Sequence, residues 1–448
     1  MTSTSPPALW SWARTLTAIC AVFSLLQYVA WEPVLLAPSV MLLLALITLL
    51  AVTQRWQGTH TLPIGHWLVV VAALAGAGAL VAKSEFLRQS RPGLLLSVLV
   101  FVGAALVASL AQERLARRAF AVLLLAYTVV AIGDLATIDV LTDVQVLLED
   151  GIDAALAGTS PYGITVPNLF NEVDTERFYG PGVVENGRVM FGYPYLPAPL
   201  LLDIPAHLLG EVRWMHLVAI VGAGAVAWHL TSDALGRACA VLVVVNPLST
   251  TVLMAYWVEP VLVFLMALSV WGVARGHRWT GVALGLFFAS KQYAISYVPA
   301  LWSVARSSGW RTVWTAVAVG GVVVGAFVVW DPGAFVHSVI EFHLKQPFRP
   351  DSISLLPGLD DLVGPLPEWL LAASPLVGLV VSILVALRSK PGSTAFALGV
   401  GLSLLVTVLL SKQAHLNYYF PVGVALLLAV ITWERDDPIP EPTPQVEA

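Results

Sequence analysis

The sequence predicts an all-α protein, a polytopic bundle of about 12–14 transmembrane helices, and three observations carry that reading. Of its 448 residues, 58% are hydrophobic and only 11% charged, with a mean hydropathy of +0.82. Soluble domains carry roughly 45–50% apolar and about 25% charged residues. The apolar residues come in blocks such as VLLAPSVMLLLALITLLAV (34–52) and LLLSVLVFVGAALVASLA (94–111). A block of about 18 residues crosses the roughly 30 Å hydrocarbon layer as a helix. These features exclude a soluble multidomain enzyme, a coiled coil and a disordered chain.

Five apolar spans come first, over 9–31, 34–52, 65–82, 93–111 and 117–138. The first continues too far for a signal peptide and reads as a retained span. Gly76 and Gly78, inside the third, suit close helix packing better than a phosphate cradle. From Asp139 to Tyr193 the hydropathy collapses, and this stretch holds nine acidic residues against two basic ones, Arg177 and Arg188. The segment PYLPAPLLLDIPAHLLG (194–210) carries Asp203 and internal prolines, so it reads as a re-entrant or interfacial helix that closes an outer loop over 139–212. Apolar blocks resume over 213–231, 238–253, 259–274, 279–303 and 311–330. A second polar loop spans 331–365, and three further blocks cover 366–387, 393–411 and 417–433. The 279–303 block holds Lys291 at its middle and must return to the side it started from. Two short helices meeting at an outer cavity satisfy both facts, because broken helices are tolerated where they line a wet cavity. The tail 434–448 is acidic, rich in proline and expected to be disordered.

Basic residues in short loops set the orientation. Arg114, Arg117 and Arg118, then Arg275 and Arg278, Arg306 and Arg311, and Arg388 and Lys390 mark the cytoplasmic side. Lys83, Arg88 and Arg91 fall on the other side, outvoted four clusters to one. Both polar loops then face outward. The net charge of −5 gives no sign of nucleic-acid binding, and Cys20 and Cys239 lie in apolar blocks, away from any disulfide framework or thiolate metal site.

Ionisable residues within or beside membrane spans are functional candidates by default. In TDVQVLLEDGIDAALAGTSPYG (142–163), Val144, Leu148, Ile152 and Ala155 recur at helical spacing, with Glu149, Asp150 and Asp153 opposite. This is an amphipathic helix lying on the membrane surface. Asp143 stands at its N-cap and Asp139 one turn earlier, so Asp143 reads either as a cap or as a reactive carboxylate. Lys291 either snorkels to an interface or supplies a point charge for phosphate. The stretch HSVIEFHLKQPFRPDSISLLPG (337–358) concentrates His343, Gln346, Arg349 and Asp351, and SKQAHLNYYF (411–420) adds Lys412, His415, Asn417 and Tyr418. Walker, HExxH and GxSxG motifs are all missing from the sequence, so nothing points to ATP hydrolysis.

An outer aspartate followed by an amphipathic helix and AGTSPY resembles the first outer loop of the C-type membrane glycosyltransferases. The match is closest to their actinobacterial branch, family 87 of the glycosyltransferase classification, which includes polyprenol-phosphate-mannose-dependent mannosyltransferases. Asp143, Gly151, Ala154, Leu156, Gly158 and Tyr162 match the outer-loop pattern of that family. Tyr193 and Pro194 match its tyrosine–proline pair, and Gly285, Leu286, Ala289 and Lys291 its second motif. The resemblance covers residues 117–433 and leaves 1–116 as N-terminal transmembrane helices outside it. The chain departs from the pattern at Leu147, where the family has tyrosine, at Tyr195 and at Gln292.

The resemblance implies inverting transfer of mannose or arabinose from a polyprenyl-phosphate sugar to an envelope glycolipid or polysaccharide. The site would face the exterior of the plasma membrane, with neither cofactor nor metal and no nucleic-acid partner. Asp143 would be the general base, with Asp139 the alternative. Lys291, Arg349, His343, Lys412 and His415 would hold the donor phosphate. Tyr162, Tyr193, Gln292, Gln346, Asn417 and Tyr418 would touch substrate. The rival readings are an envelope polysaccharide polymerase or ligase, and a lipid or sugar transporter.

Overall fold

The computed structural model describes residues 9–26, 36–53, 63–349 and 351–436. Before the first polar loop come α1 (Leu9–Leu25), α2 (Leu36–Thr53), α3 (Pro63–Lys83), α4 (Glu85–Arg88), α5 (Arg91–Leu110) and α6 (Glu113–Thr137). The loop itself holds α7 (Asp143–Leu156), α8 (Glu172–Phe178) and the strands β1 (Val166–Pro167), β2 (Val184–Glu185) and β3 (Arg188–Val189). The strands form a small antiparallel sheet in the order β1-β3-β2. Next come α9 (Pro197–Leu208), α10 (Arg213–Leu230), α11 (Ala234–Val244), α12 (Pro247–Met254), α13 (Glu259–Arg275) and α14 (Thr280–Phe288). A 3-10 segment, Gln292–Ala300, leads into α15 (Leu301–Ser308) and α16 (Trp310–Trp330). The second polar loop folds as α17 (Pro332–Val336), a π-turn, α18 (Phe342–Lys345) and α19 (Leu355–Val363). The described chain closes with α20 (Glu368–Arg388), α21 (Ser393–Leu409) and α22 (Leu416–Asp436).

The architecture is an all-α membrane bundle, as the composition predicts. Among the described residues six helices are long and apolar enough to cross a membrane, or seven if α9 and α10, bent by 115° at their junction, count as one span. Four shorter apolar helices lie beside them, over Trp12–Leu25, Ala37–Thr53, Ala373–Arg388 and Ser393–Leu409, so among the described residues the long spans are fewer than the twelve to fourteen expected. Ser290 and Lys291 separate α14 from the 3-10 segment, as the lysine within its apolar block suggests. Helix α9 turns sharply into α10 at 209–212, where Gly210 takes a positive φ of 92°, which fits the re-entrant or interfacial helix expected over 194–210. The expected tail falls outside the described residues beyond Asp436, while residues 434–436 finish α22.

One hydrophobic core runs from Ala13 to Trp433, so the N-terminal helices share it with the rest of the chain. Its axis is α22, whose apolar span is 89% buried, against 17% for the peripheral, lipid-facing α16. Helix α22 packs against α1, α11, α13 and α21. A Cβ on Gly76 would collide with the carbonyl oxygen of Val245, so this position lets α3 lie against α11, whereas Gly78 faces open space. The packing reading holds for Gly76.

Chain direction places the ends of α6, α16 and α21 and the starts of α2, α13 and α22 at one end of the bundle, together with both polar loops. The four basic clusters lie at the other. Ser84, just after Lys83, donates to Asp134 near the end of α6 at 2.8 Å. The dissenting basic group therefore does sit at the polar-loop end.

Candidate functional site

A cavity of about 520 Å³ opens at the polar-loop end. Its walls come from the start of α2, α7 (Asp143, Val144), the end of α8 (Arg177, Tyr179), Tyr195, Trp257, residues of the second polar loop from Phe342 to Arg349 and from Asp351 to Ile353, and the start of α22 with the residues just before it. Asp143, His343, Gln346, Arg349, His415, Asn417 and Tyr418, seven of the residues singled out in the sequence, all line it.

Of the expected stripe of α7, Leu148 and Ile152 are buried and Val144 and Ala155 half-buried, while Leu147, Gly151 and Ala154 complete the buried face. Its cap differs from expectation. The Thr142 side chain accepts from the Gln145 amide at 3.1 Å, so Thr142 is the N-cap and Asp143 the first helical residue. Relieved of capping, Asp143 turns to the cavity, where its Oδ2 accepts from the Tyr179 hydroxyl at 3.3 Å. Burial, then the neighbouring Asp143 charge, pushes the Tyr179 phenol far up, so it stays a donor.

Tyr179 reaches Asp143 because the end of α8 docks on the second polar loop. Gly180 permits this, since a Cβ there would collide with the Lys345 carbonyl oxygen. Across the contact, Arg349 stacks on the Phe178 ring, 4.2 Å from its centroid. Arg349 also forms a two-pronged pair with Asp351, at 2.9 and 3.1 Å. Burial raises the Asp351 carboxyl, but the bonds from Arg349 outweigh it and hold it below the usual carboxylate range.

Both cavity histidines are neutral at physiological pH. Burial, reinforced by Lys291 and Lys412, lowers His343 to about 4, and its Nε2 bonds the Pro194 carbonyl at 3.0 Å. Burial and the Arg349 charge bring His415 to about 4 as well. Neither is a phosphate-binding cation as it stands, although both line the cavity.

Several residues expected at the site serve elsewhere. Lys291 is 2% exposed and pairs with Glu259 Oε1 at 2.5 Å, under the ring of Tyr195 at 4.0 Å from its centroid. Its charge is met below the cavity floor, so it is not the free cation expected. Lys412 donates to the carbonyls of Leu344 at 2.9 Å and Gln346 at 2.5 Å and ties two loops together. Gln292 donates to the carbonyls of Pro194 and Val339. Tyr162 and Tyr193 are buried in a satellite core with Phe327 and Phe335, where the Tyr162 hydroxyl bonds the Tyr195 carbonyl at 3.1 Å. Asp139 is exposed and is not part of the cavity wall.

Sequence reasoning missed Glu259, Tyr195, Trp257, Tyr179 and the position of Arg177. Glu259 was findable: a carboxylate in the first turn of the apolar helix α13 meets the same criterion that singled out Lys291. Its Oε1 accepts from Lys291 and also from Asn417 Nδ2 at 2.9 Å, which fixes the amide of a cavity residue from beneath.

Fold and site together define a multi-pass α-helical membrane protein with a polar cavity at one end of its bundle. No family model, curated protein or solved structure matches the chain.

Proposed function

We propose that the cavity is the active site of a membrane glycosyltransferase that moves a sugar, mannose or arabinose, from a polyprenyl-phosphate donor to an envelope glycolipid or polysaccharide on the outer face of the plasma membrane. The observation that carries this reading is the meeting of Asp143 with Arg349, Gln346, Asn417 and Tyr418 in one cavity, from stretches of chain more than 200 residues apart. The cavity lies opposite the four basic clusters, which supports an outward-facing site.

In the reaction, an acceptor hydroxyl loses its proton to Asp143 as its oxygen attacks the anomeric carbon. The bond from that carbon to the phosphate oxygen breaks, and its electron pair leaves with the polyprenyl phosphate. Attack from the face opposite the leaving group inverts the anomeric centre. Asp143 gains a proton as the phosphate gains a charge, so a base and a cation must flank the sugar. The Tyr179 hydroxyl aims the carboxylate.

The test is transfer of radiolabelled mannose and arabinose from polyprenyl-phosphate donors in membranes, with characterisation of the product. Asp143→Asn should reduce transfer by about 10²–10⁴-fold, as for loss of a positioned acid–base group. The helix should survive because Thr142 caps it. Wild-type turnover of Asp143→Asn, or no transfer from either donor by the native chain, would end the reading.

A further inference from the structure

We infer that Arg177, with Arg349 beside it, is the seat of a lipid-borne phosphate in the cavity. The inference rests on the transferase reading and names the residues that meet its leaving group.

The first polar loop holds two basic residues among nine acidic ones. Arg188 is held on the small sheet, where its Nε donates to Thr165 Oγ1 at 2.9 Å. Arg177 instead lines the cavity, with its guanidinium 5.5 Å from the centroid of the Phe178 ring. Arg349 addresses the same ring at 4.2 Å. Two like charges thus converge on one aromatic ring, and Asp351 neutralises only Arg349. Arg177 is exposed, and among the described residues its guanidinium meets that ring rather than a carboxylate.

The other cations near the cavity are already engaged. Lys291 pairs with Glu259, Lys412 holds two carbonyls, and His343 and His415 are neutral. Lys345 lies over the Phe191 ring at 5.2 Å and is not part of the cavity wall, so among the described cations that line the cavity the charge still open to an anion is that of Arg177. Guanidinium suits phosphate because its planar fork donates two parallel bonds. Arg177 lies two residues from Tyr179, which touches Asp143, so one short segment carries both the charge for the leaving group and the partner of the base. As Asp143 is neutralised by the acceptor proton, the phosphate turns from monoanion to dianion, and the added charge falls beside Arg177.

Titration calorimetry on the full chain in detergent tests this with three probes: farnesyl phosphate, farnesol and inorganic phosphate. The native protein should bind farnesyl phosphate well above the other two. Arg177→Gln should weaken farnesyl phosphate by roughly 10- to 100-fold, the range for a lost charge-assisted bond. Arg177→Lys should fall between, and Arg188→Gln should match the native chain. Unchanged binding in Arg177→Gln would overturn the inference. Farnesyl phosphate held no better than inorganic phosphate would overturn the lipid-borne source. If Arg177-dependent binding persists in a chain that transfers no sugar, the inference stands and the transferase reading falls. Arg177-independent binding in a chain that does transfer sugar strikes the inference alone.

Discussion

Removing Lys291 isolates a buried charge. In Lys291→Met, Glu259, with its side chain fully buried, loses the ammonium 2.5 Å away and keeps the Asn417 amide at 2.9 Å. Breaking a buried pair from one side costs about 3–5 kcal/mol. The retained amide favours the lower half of that range. With an unfolding entropy of about 2.1 cal/mol/K per residue, about 4 kcal/mol corresponds to roughly 4 °C in the melting midpoint of a chain this long. Glu259→Gln with Lys291→Met removes both charges and should recover most of the loss, because an uncharged pair carries no such desolvation penalty. The assay is thermal unfolding in one detergent at one scan rate, since such midpoints are rate-dependent, beside farnesyl phosphate titration. Unaltered donor affinity with a lowered midpoint is the expected pair of results. A midpoint within about 1 °C of the native one, together with weakened farnesyl phosphate binding, would refute the structural role and return Lys291 to the phosphate.

Gly180→Ala should drive the end of α8 off the Lys345 carbonyl, break the Tyr179–Asp143 bond and lower transfer at least about tenfold, since packed contacts do not absorb an added methyl freely; native activity would show that this docking is dispensable. With His343 and His415 both near 4 in the fold and about 6.5 unfolded, the unfolded chain binds more protons between those values. Stability is therefore fully present above about pH 6.5 and falls by about 1.4 kcal/mol per pH unit per histidine as pH drops toward 4. His343→Gln should flatten that slope by about half, and a midpoint constant from pH 7 to 5 would contradict it. In a Cys20→Ser/Cys239→Ser background, an impermeant thiol reagent added outside intact cells should label a cysteine at the exposed Asp139 and spare one at the exposed Arg311; the reverse pattern would invert the topology.

Composition and block length made the fold class legible, and local signals marked its irregularities. The prolines and Asp203 of 194–210 marked a helix that does not simply span, Lys291 foretold the broken helix, and the apolar stripe of α7 foretold part of its buried face. The cavity was legible in part because its polar residues cluster in loops, where a charged side chain stands out from its surroundings. What escaped was pairing across distance. Apolar helices in lipid are alike on every face, so periodicity does not say that α13 brings Glu259 under Lys291. Nor does it say that Tyr162 and Tyr193 turn inward to each other. The cap itself falls one residue before the position expected for it, because Thr142 caps as well as Asp143 would. Nor does a local pattern say that Arg177 reaches a cavity wall, since that follows from Gly180 seating the end of α8 against Lys345.

The burial of α22 bears on the order in which the protein is made. This helix fills the centre of the bundle and contributes Leu416, Asn417 and Tyr418 to the cavity, just after His415. A chain emerging from the ribosome inserts α1, α11 and α13 long before the helix they will all grip exists. Until then their inward faces have only lipid or one another to contact, and the cavity lacks a wall. Assembly must leave a slot open and fill it late, which makes the nascent bundle dependent on whatever shields such a slot in the membrane. The last wall of the cavity arrives in a single step, with the insertion of residues 416–433.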